Sequence, residues 1–336
     1  MRLRMALAAI VTLLLVLTVF PSRAADTLPL QLSDAAYWKM ISDFSEPDGY
    51  FQLEIITSNE TSYQYVLPQL VRTAKPGGAY LGVGPEQNFT YMAALQPKMA
   101  FLIDIRRDMM LEHLMYKAVF EMSADRADFV ANLFSRKRPA QLMADSSVQS
   151  LFQAYAAAPA DRMLSEEHLK AITARLNAAH RFPLSDDDVR RIRSIYLTFF
   201  REGVVSFYSS FRSPGYAGLM MMTDGAGRNW SFLASKENYD RVRALHQNNL
   251  IVPLVGDFAG PRAIRMAGQY LRDHGAVVNV FYISNVEDYI QGVWPSYARN
   301  LASLPVDASS VFIRWSPGSS TWLASIADFI RAENVR

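Results

Sequence analysis

The stretch AYLGVGPEQNFTYMAALQPKMAFLID, residues 79–104, decides the fold. Residues 79–84 form a short apolar run that closes on Gly82 and Gly84. Residues 85–88 have turn composition, and residues 88–95 carry apolar side chains at helical spacing before Gln96-Pro97. Residues 99–103 are a second apolar run, ending on Asp104. A short uninterrupted apolar run between turn signals fits a strand buried on both faces, the kind that parallel sheets contain. Strand, tight turn, helix and strand, with an acidic residue about 20 positions after the first glycines, make the opening unit of a doubly wound sheet.

The same alternation returns toward the other end. Residues 250–255 predict a strand running into Gly256-Asp257-Phe258, and residues 261–272 a helix. Residues 276–283 predict a strand running into Ser284-Asn285-Val286-Glu287, residues 310–315 another strand, and residues 319–333 a final helix. From about residue 108 to 245 the pattern is helical. Met109, Leu111, Met115, Val119 and Met122 lie near one face of its first helix. Ser185 reads as an N-cap, with Asp186, Asp187 and Asp188 in the first turn, where the helix dipole favours negative charge. Upstream, residues 33–40 and 62–74 predict helices. Residues 50–57, with Phe51, Leu53 and Ile55 alternating, predict a half-buried strand. The expected architecture is one α/β domain over residues 25–336. Its mostly parallel, Rossmann-like sheet of five apolar strands is interrupted by a large helical insertion at about 108–245.

Half of the 336 residues are hydrophobic and 20% are charged, enough for an ordinary core. Residues 1–24 stand apart. Arg2 and Arg4 precede an uncharged apolar run over residues 5–20, Pro21 breaks it, and Ser22-Arg23-Ala24 puts small residues where a signal peptidase reads. This is the pattern of a secretory signal peptide cut before Ala25, which implies export to the periplasm. An uncleaved N-terminal membrane anchor is the alternative. The run is short for a hydrocarbon layer that takes around 20 helical residues to cross. Without Arg2, Arg4 and Arg23, 31 of the 34 basic residues face 32 acidic ones, so the net charge of +2 becomes −1. No basic excess then points to nucleic acid, and any membrane contact would come through the leader alone. The absence of cysteine excludes disulfides, thiolate metal sites and cysteine nucleophiles.

Open α/β sheets bind ligands in the crevice outside the carboxyl ends of their strands. That rule makes Gly82, Gly84, Glu86, Asn88, Asp104, Arg106, Asp257 and Phe258 candidate ligand contacts, and Asn285 and Glu287 candidate catalytic groups. Glycines at a strand end let the backbone approach a nucleotide, and the next helix offers free N–H groups. Position 87 is Gln where a dinucleotide fingerprint has its third glycine, so Glu86 and Asn88 suit a ligand without pyrophosphate better. An acid placed like Asp104 accepts hydrogen bonds from ribose hydroxyls. The plainer reading is a surface ion pair with Arg106 or Arg107. Asp257, Asn285 and Glu287 should converge from later strand ends. Glu287 could serve as a general base, although a helix-capping role for Ser284 or Asn285 stays equally open. The five histidines show no metal-ligand spacing, and neither G-x-S-x-G nor a P-loop is present, so no metal is expected. Glu112 and His113 are neighbours on a helix and diverge by about 100°, which prevents them from facing each other. The aromatic group Tyr196, Phe199, Phe200, Phe207, Tyr208, Phe211 and Tyr216 could cap a pocket or, more commonly, fill a core.

The strings YLGVGPEQNFTY (80–91), DIRR (104–107), VGDFAGP (255–261) and FYISNVEDY (281–289) resemble an uncharacterised family of bacterial proteins, some of them exported. That family is itself similar in organisation to class I S-adenosylmethionine-dependent methyltransferases. The resemblance implies that Gly82 and Gly84 match the glycine-rich first motif and Asp104 the acid at the second strand end. Asp257 would lie near the adenine, and Ser284 to Glu287 at the catalytic strand end. S-adenosylmethionine is then the implied cofactor. The motif lacks its third glycine, and no Asn/Asp-Pro-Pro-Tyr string is present. The leader implies export away from a cytoplasmic cofactor. The alternative is a non-catalytic periplasmic module that binds a small molecule or a protein on the same fold.

Overall fold

The computed structural model describes residues 26–53, 55–204 and 214–333; the leader over residues 1–24 lies outside them, as do Phe207, Tyr208 and Phe211. Helices α1 (Asp34–Phe44) and α2 (Leu67–Thr73) precede strand β1 (Ala79–Gly82), helix α3 (Gln87–Leu95) and strand β2 (Met99–Asp104). Among the described residues seven α-helices follow: α4 (Arg107–Met122), α5 (Arg126–Phe134), α6 (Val148–Ala157), α7 (Arg162–Ala174), α8 (Asp186–Glu202), α9 (Gly215–Met221) and α10 (Lys236–Gln247), with a π-helical turn over Arg175–Ala179 after α7. The α/β alternation then resumes with β3 (Ile251–Val255), α11 (Ala263–Asp273), β4 (Val278–Ser284), α12 (Trp294–Ala302), β5 (Val311–Arg314), β6 (Trp322–Ser325) and α13 (Ile326–Ala332).

The six strands form one sheet in the order β3-β2-β1-β4-β5-β6. The first five run parallel, and β6 pairs antiparallel with β5. Every residue of β1, β2 and β3 is buried, which is why these strands read as unbroken apolar runs. Strand β3 is an edge and carries Pro253, whose missing N–H costs nothing on its unpaired side. The chain around α1 covers that edge. Tyr37 Oη donates to the Ile251 carbonyl, Val255 N–H donates to Ser45 Oγ, and Glu46 N–H donates to the Val255 carbonyl. Helix α4 is buried all round over residues 109–120, packed between β2 and β3 on one side and α5, α8 and α10 on the other. Ser185 and Asp188 form a reciprocal capping box at the start of α8. Among the described residues, no helix is long and apolar enough to cross a membrane.

Three expectations are corrected. Among the described residues of 50–57 there is no strand: they are irregular and pair with no ladder. The helix expected over residues 62–74 shrinks to α2, preceded by turns. The single helix expected at 319–333 is a half-exposed edge strand followed by the short α13, because Ser325 caps the helix by accepting from Asp328 N–H. Of the aromatic group, Tyr196, Phe199 and Tyr216 are buried core residues.

Candidate functional site

Strand order reverses between β1 and β4, where the chain crosses from one half of the sheet to the other. Outside the carboxyl ends of the strands at this point lies a cavity of about 260 Å³. Each parallel strand contributes from its last residues or the turn after it: Val83 and Gly84 after β1, Asp104 to Arg106 after β2, Gly256 to Phe258 after β3, Tyr282, Ser284 and Asn285 at β4, and Trp315 after β5. The irregular segment at 46–60 crosses these ends and adds Phe51, Leu53, Ile55, Ser58, Asn59 and Glu60 to the lining.

The ten expected residues separate into two groups. Gly84, Asp104, Arg106, Asp257, Phe258 and Asn285 line the cavity; Gly82, Glu86, Asn88 and Glu287 do not. Asn88 is a turn lock. Its Nδ2 donates to the carbonyls of Val83, Gly84 and Pro85, and its Oδ1 accepts from Tyr80 Oη at 2.7 Å. Gly82 is glycine because a Cβ there would run into Asn88 Oδ1. Gly84 has φ +73° with open space beside it, so its backbone conformation, and not crowding, asks for glycine. Its carbonyl also meets His113 Nε2 at 2.9 Å.

Glu86 points inward and is fully buried. Its Oε1 accepts from Thr57 Oγ1 at 2.9 Å and from Ser58 N–H at 3.3 Å, while its Oε2 has no partner among the described residues. Burial pushes its carboxyl up to about 7. Glu112, buried nearby on α4, is raised by burial and by the Glu86 charge. Glu287, expected as a base, is ion-paired. Its Oε1 accepts from Arg314 at 2.7 Å and from Tyr297 Oη at 3.0 Å.

The lining groups are differently held. Asp104 Oδ1 accepts from Arg106 N–H at 2.9 Å and stands 3.6 Å from Arg106 Nε, and Arg106 also donates to the Ile55 carbonyl at 3.1 Å. Burial raises the Asp104 carboxyl and the Arg106 charge pulls it partway back. Asp257 Oδ1 accepts from Ala259 N–H at 2.8 Å. Phe258 is buried against Phe281 at a ring-centroid distance of 5.2 Å.

Glu60 carries no motif that sequence reasoning could catch. It is 2% exposed. Its Oε1 accepts from Tyr282 Oη at 2.6 Å and from Ser284 Oγ, and its Oε2 accepts from Gln87 Nε2 at 3.0 Å. Ser284 turns to make this contact from a left-handed backbone, φ +52°, where the register of β4 against β5 shifts. A non-glycine residue held in that region at a strand end is strain of the sort that collects at functional sites. Burial pushes Glu60 above its ordinary value, with the three donors pulling against it.

Two helix N-termini that face this edge are already filled from within the chain. Glu46 Oε1 accepts from Arg262 N–H at 2.8 Å and Ala263 N–H at 2.9 Å at the start of α11, and Asp48 Oδ1 accepts from Arg107 N–H at 2.7 Å at the start of α4. A helix N-terminus is the natural seat of a phosphate, and here carboxylates of the 46–60 segment occupy both.

The chain is an α/β protein with a six-stranded, mostly parallel sheet and a cavity at its strand ends. Residues 55–329 match the family described as Domain of unknown function (DUF7790), and the chain belongs to that family. No curated protein matches it.

Proposed function

We propose that the cavity binds a nucleoside-like small molecule, with S-adenosylmethionine as the first candidate, on a Rossmann-like, methyltransferase-like fold. The observation that carries this reading is the meeting of Gly84, Asp104, Asp257, Phe258 and Asn285 in one cavity at the point where strand order reverses. Such a point is where doubly wound sheets hold their ligands, and the order found here follows the doubly wound pattern. In this reading Asp104 accepts from ribose hydroxyls, while Asp257 and Phe258 flank the base. The Asp104 carboxylate is held at the cavity wall by Arg106 and by the Gly84 N–H. The carboxylate-filled helix N-termini disfavour a pyrophosphate, as the missing third glycine does.

A second reading is favoured by the position of Glu287, which is paired with Arg314 and lies outside the cavity lining. In it the fold is a non-catalytic module that binds a small molecule, consistent with the export signal read at residues 1–24.

Thermal-shift titration with S-adenosylmethionine and S-adenosylhomocysteine, with NAD as control, tests the proposal. Ligand at a hundred times its Kd stabilises by about 2.7 kcal/mol. A saturable shift with the first two, absent with NAD and lost in Asp104→Ala, is the expected result. No shift at millimolar concentrations overturns it. A methyl-transfer assay on any binder separates the enzymatic reading from the binding module.

A further inference from the structure

Charge is unevenly distributed around the cavity. Among the described residues its lining carries three carboxylates, Glu60, Asp104 and Asp257, against one basic side chain, Arg106. Arg106 is committed to Asp104. Glu60 sits on the β4 side, tied to Tyr282 and Ser284, and its three side-chain donors are all neutral. Donors of this kind hold a carboxylate in place and favour its ionised form, yet they leave its charge uncancelled in a buried position. Two hydroxyls and an amide are a costly way to hold a structural carboxylate, since an uncharged side chain could fill the same space without that penalty. The lining also carries Phe51 and Tyr289, whose rings lie 5.0 Å apart, and Trp315, whose backbone N–H donates to the Ser284 carbonyl; aromatic groups of this kind attract organic cations.

We infer that the β4 side of the cavity is a cation subsite, in which an organic ammonium or sulfonium group sits against Glu60. The inference rests on reading the cavity as a small-molecule site and specifies which chemistry it admits. The nucleoside part of a ligand, held on the β2–β3 side by Asp104 and Asp257, leaves this side for a positive centre of the same molecule or of a second one. Glu60 then decides specificity: it rejects an anion by repulsion, and it favours a cation over a neutral group of equal shape by a charge-assisted contact.

The test uses a matched pair of probes, 2-phenylethylamine and 2-phenylethanol, which differ in charge and hardly in shape. Each is titrated calorimetrically into the purified chain at neutral pH, up to 10 mM. The amine is expected to bind at least about tenfold more tightly than the alcohol, as a charge-assisted contact would make it. Glu60→Gln is expected to abolish that preference by weakening the amine alone, with its fold checked by circular dichroism. Equal binding of the two probes, binding of neither, or a preference that survives in a folded Glu60→Gln chain overturns the inference. The comparison on the unaltered chain stands even where the variant does not fold. Adenosine, titrated separately, keeps the two readings apart. An amine preference without adenosine binding sinks the nucleoside reading and leaves the cation subsite, and adenosine binding without amine preference does the reverse.

Discussion

Glu60 and Tyr282 lie 222 positions apart in the sequence, and the tyrosine hydroxyl donates to the carboxylate at 2.6 Å. This contact fastens the 46–60 segment to the end of β4 and so closes one wall of the cavity. Both residues are buried, and a hydrogen bond to a charged group contributes about 1.5–3 kcal/mol. Tyr282→Phe is therefore expected to lower unfolding stability by about that amount. Urea unfolding at pH 7.5 reads it. A loss under about 0.5 kcal/mol would mean that Glu60 finds a replacement donor, such as cavity water, at no cost.

Gly82 and Gly84 belong to one motif and are glycine for different reasons, so their alanine variants should separate. Gly84→Ala meets nothing within 4 Å and suffers only the left-handed backbone, a cost of about 1–2 kcal/mol. Gly82→Ala drives a Cβ into Asn88 Oδ1, the atom that accepts from Tyr80, and breaks the lock on the turn. Its cost is expected to exceed about 2 kcal/mol, in the range of overpacked cores. Chemical denaturation of both variants checks the ranking, and a Gly84→Ala chain less stable than Gly82→Ala would reverse the assignment of roles.

Strands β1 to β3 were legible because burial on both faces leaves an unbroken apolar signature, and the polar groups at their ends could be picked out once the strands were placed. The alternation at Phe51, Leu53 and Ile55 is genuine but was misread: all three line the cavity, so the period of two marks a face turned to an empty space and not to a sheet core. Strand β6 was hidden because it is a half-exposed edge whose apolar content merges with that of α13. Whether a polar residue beside a glycine turn faces ligand or protein was beyond local pattern. Asn88 and Glu86 turn inward, while Gly84 between β1 and α3 faces the cavity. Glu60 had no signal at all, since its partners Gln87, Tyr282 and Ser284 come together only when the sheet assembles.

His180 joins α1 to α4. Its Nε2 lies 2.7 Å from Glu121 and its Nδ1 2.9 Å from Asp34. The hydrogen bond to Glu121 raises its pKa, with burial opposing. A histidine raised in the folded state contributes stability that is complete below its unfolded value of about 6.5 and is lost as pH climbs through the folded value. His180→Ala should thus cost more at pH 6 than at pH 9, by about 1–2 kcal/mol. Equal costs at the two pH values, in denaturant titrations, would show that the bridge does not depend on the imidazolium charge.

Glu86 acts in the same direction through the opposite chemistry. Burial lifts its carboxyl to about 7 from an ordinary 4.5, and among the described residues its Oε2 has no partner to hold a charge. A carboxyl raised on folding binds its proton more tightly in the native chain, so its favourable contribution is complete below the unfolded value and vanishes as pH rises through about 7. Over that interval the chain should lose on the order of 3 kcal/mol on account of this group. His113, lowered by burial to about 4, contributes with the opposite slope, stabilising above its unfolded value and losing that as pH falls. A single pH curve therefore mixes the two, and the difference between wild type and Glu86→Gln isolates the carboxyl. Gln keeps the shape and an oxygen for Thr57 and Ser58, and its amide cannot ionise. Stability measured by urea unfolding at half-unit steps from pH 5 to pH 8 should fall less steeply with pH in Glu86→Gln than in the wild type. Glu112 should then titrate lower as well, since the Glu86 charge that helps to raise it is gone. Parallel curves for the two chains would sink the assignment of a neutral Glu86 beneath the cavity floor.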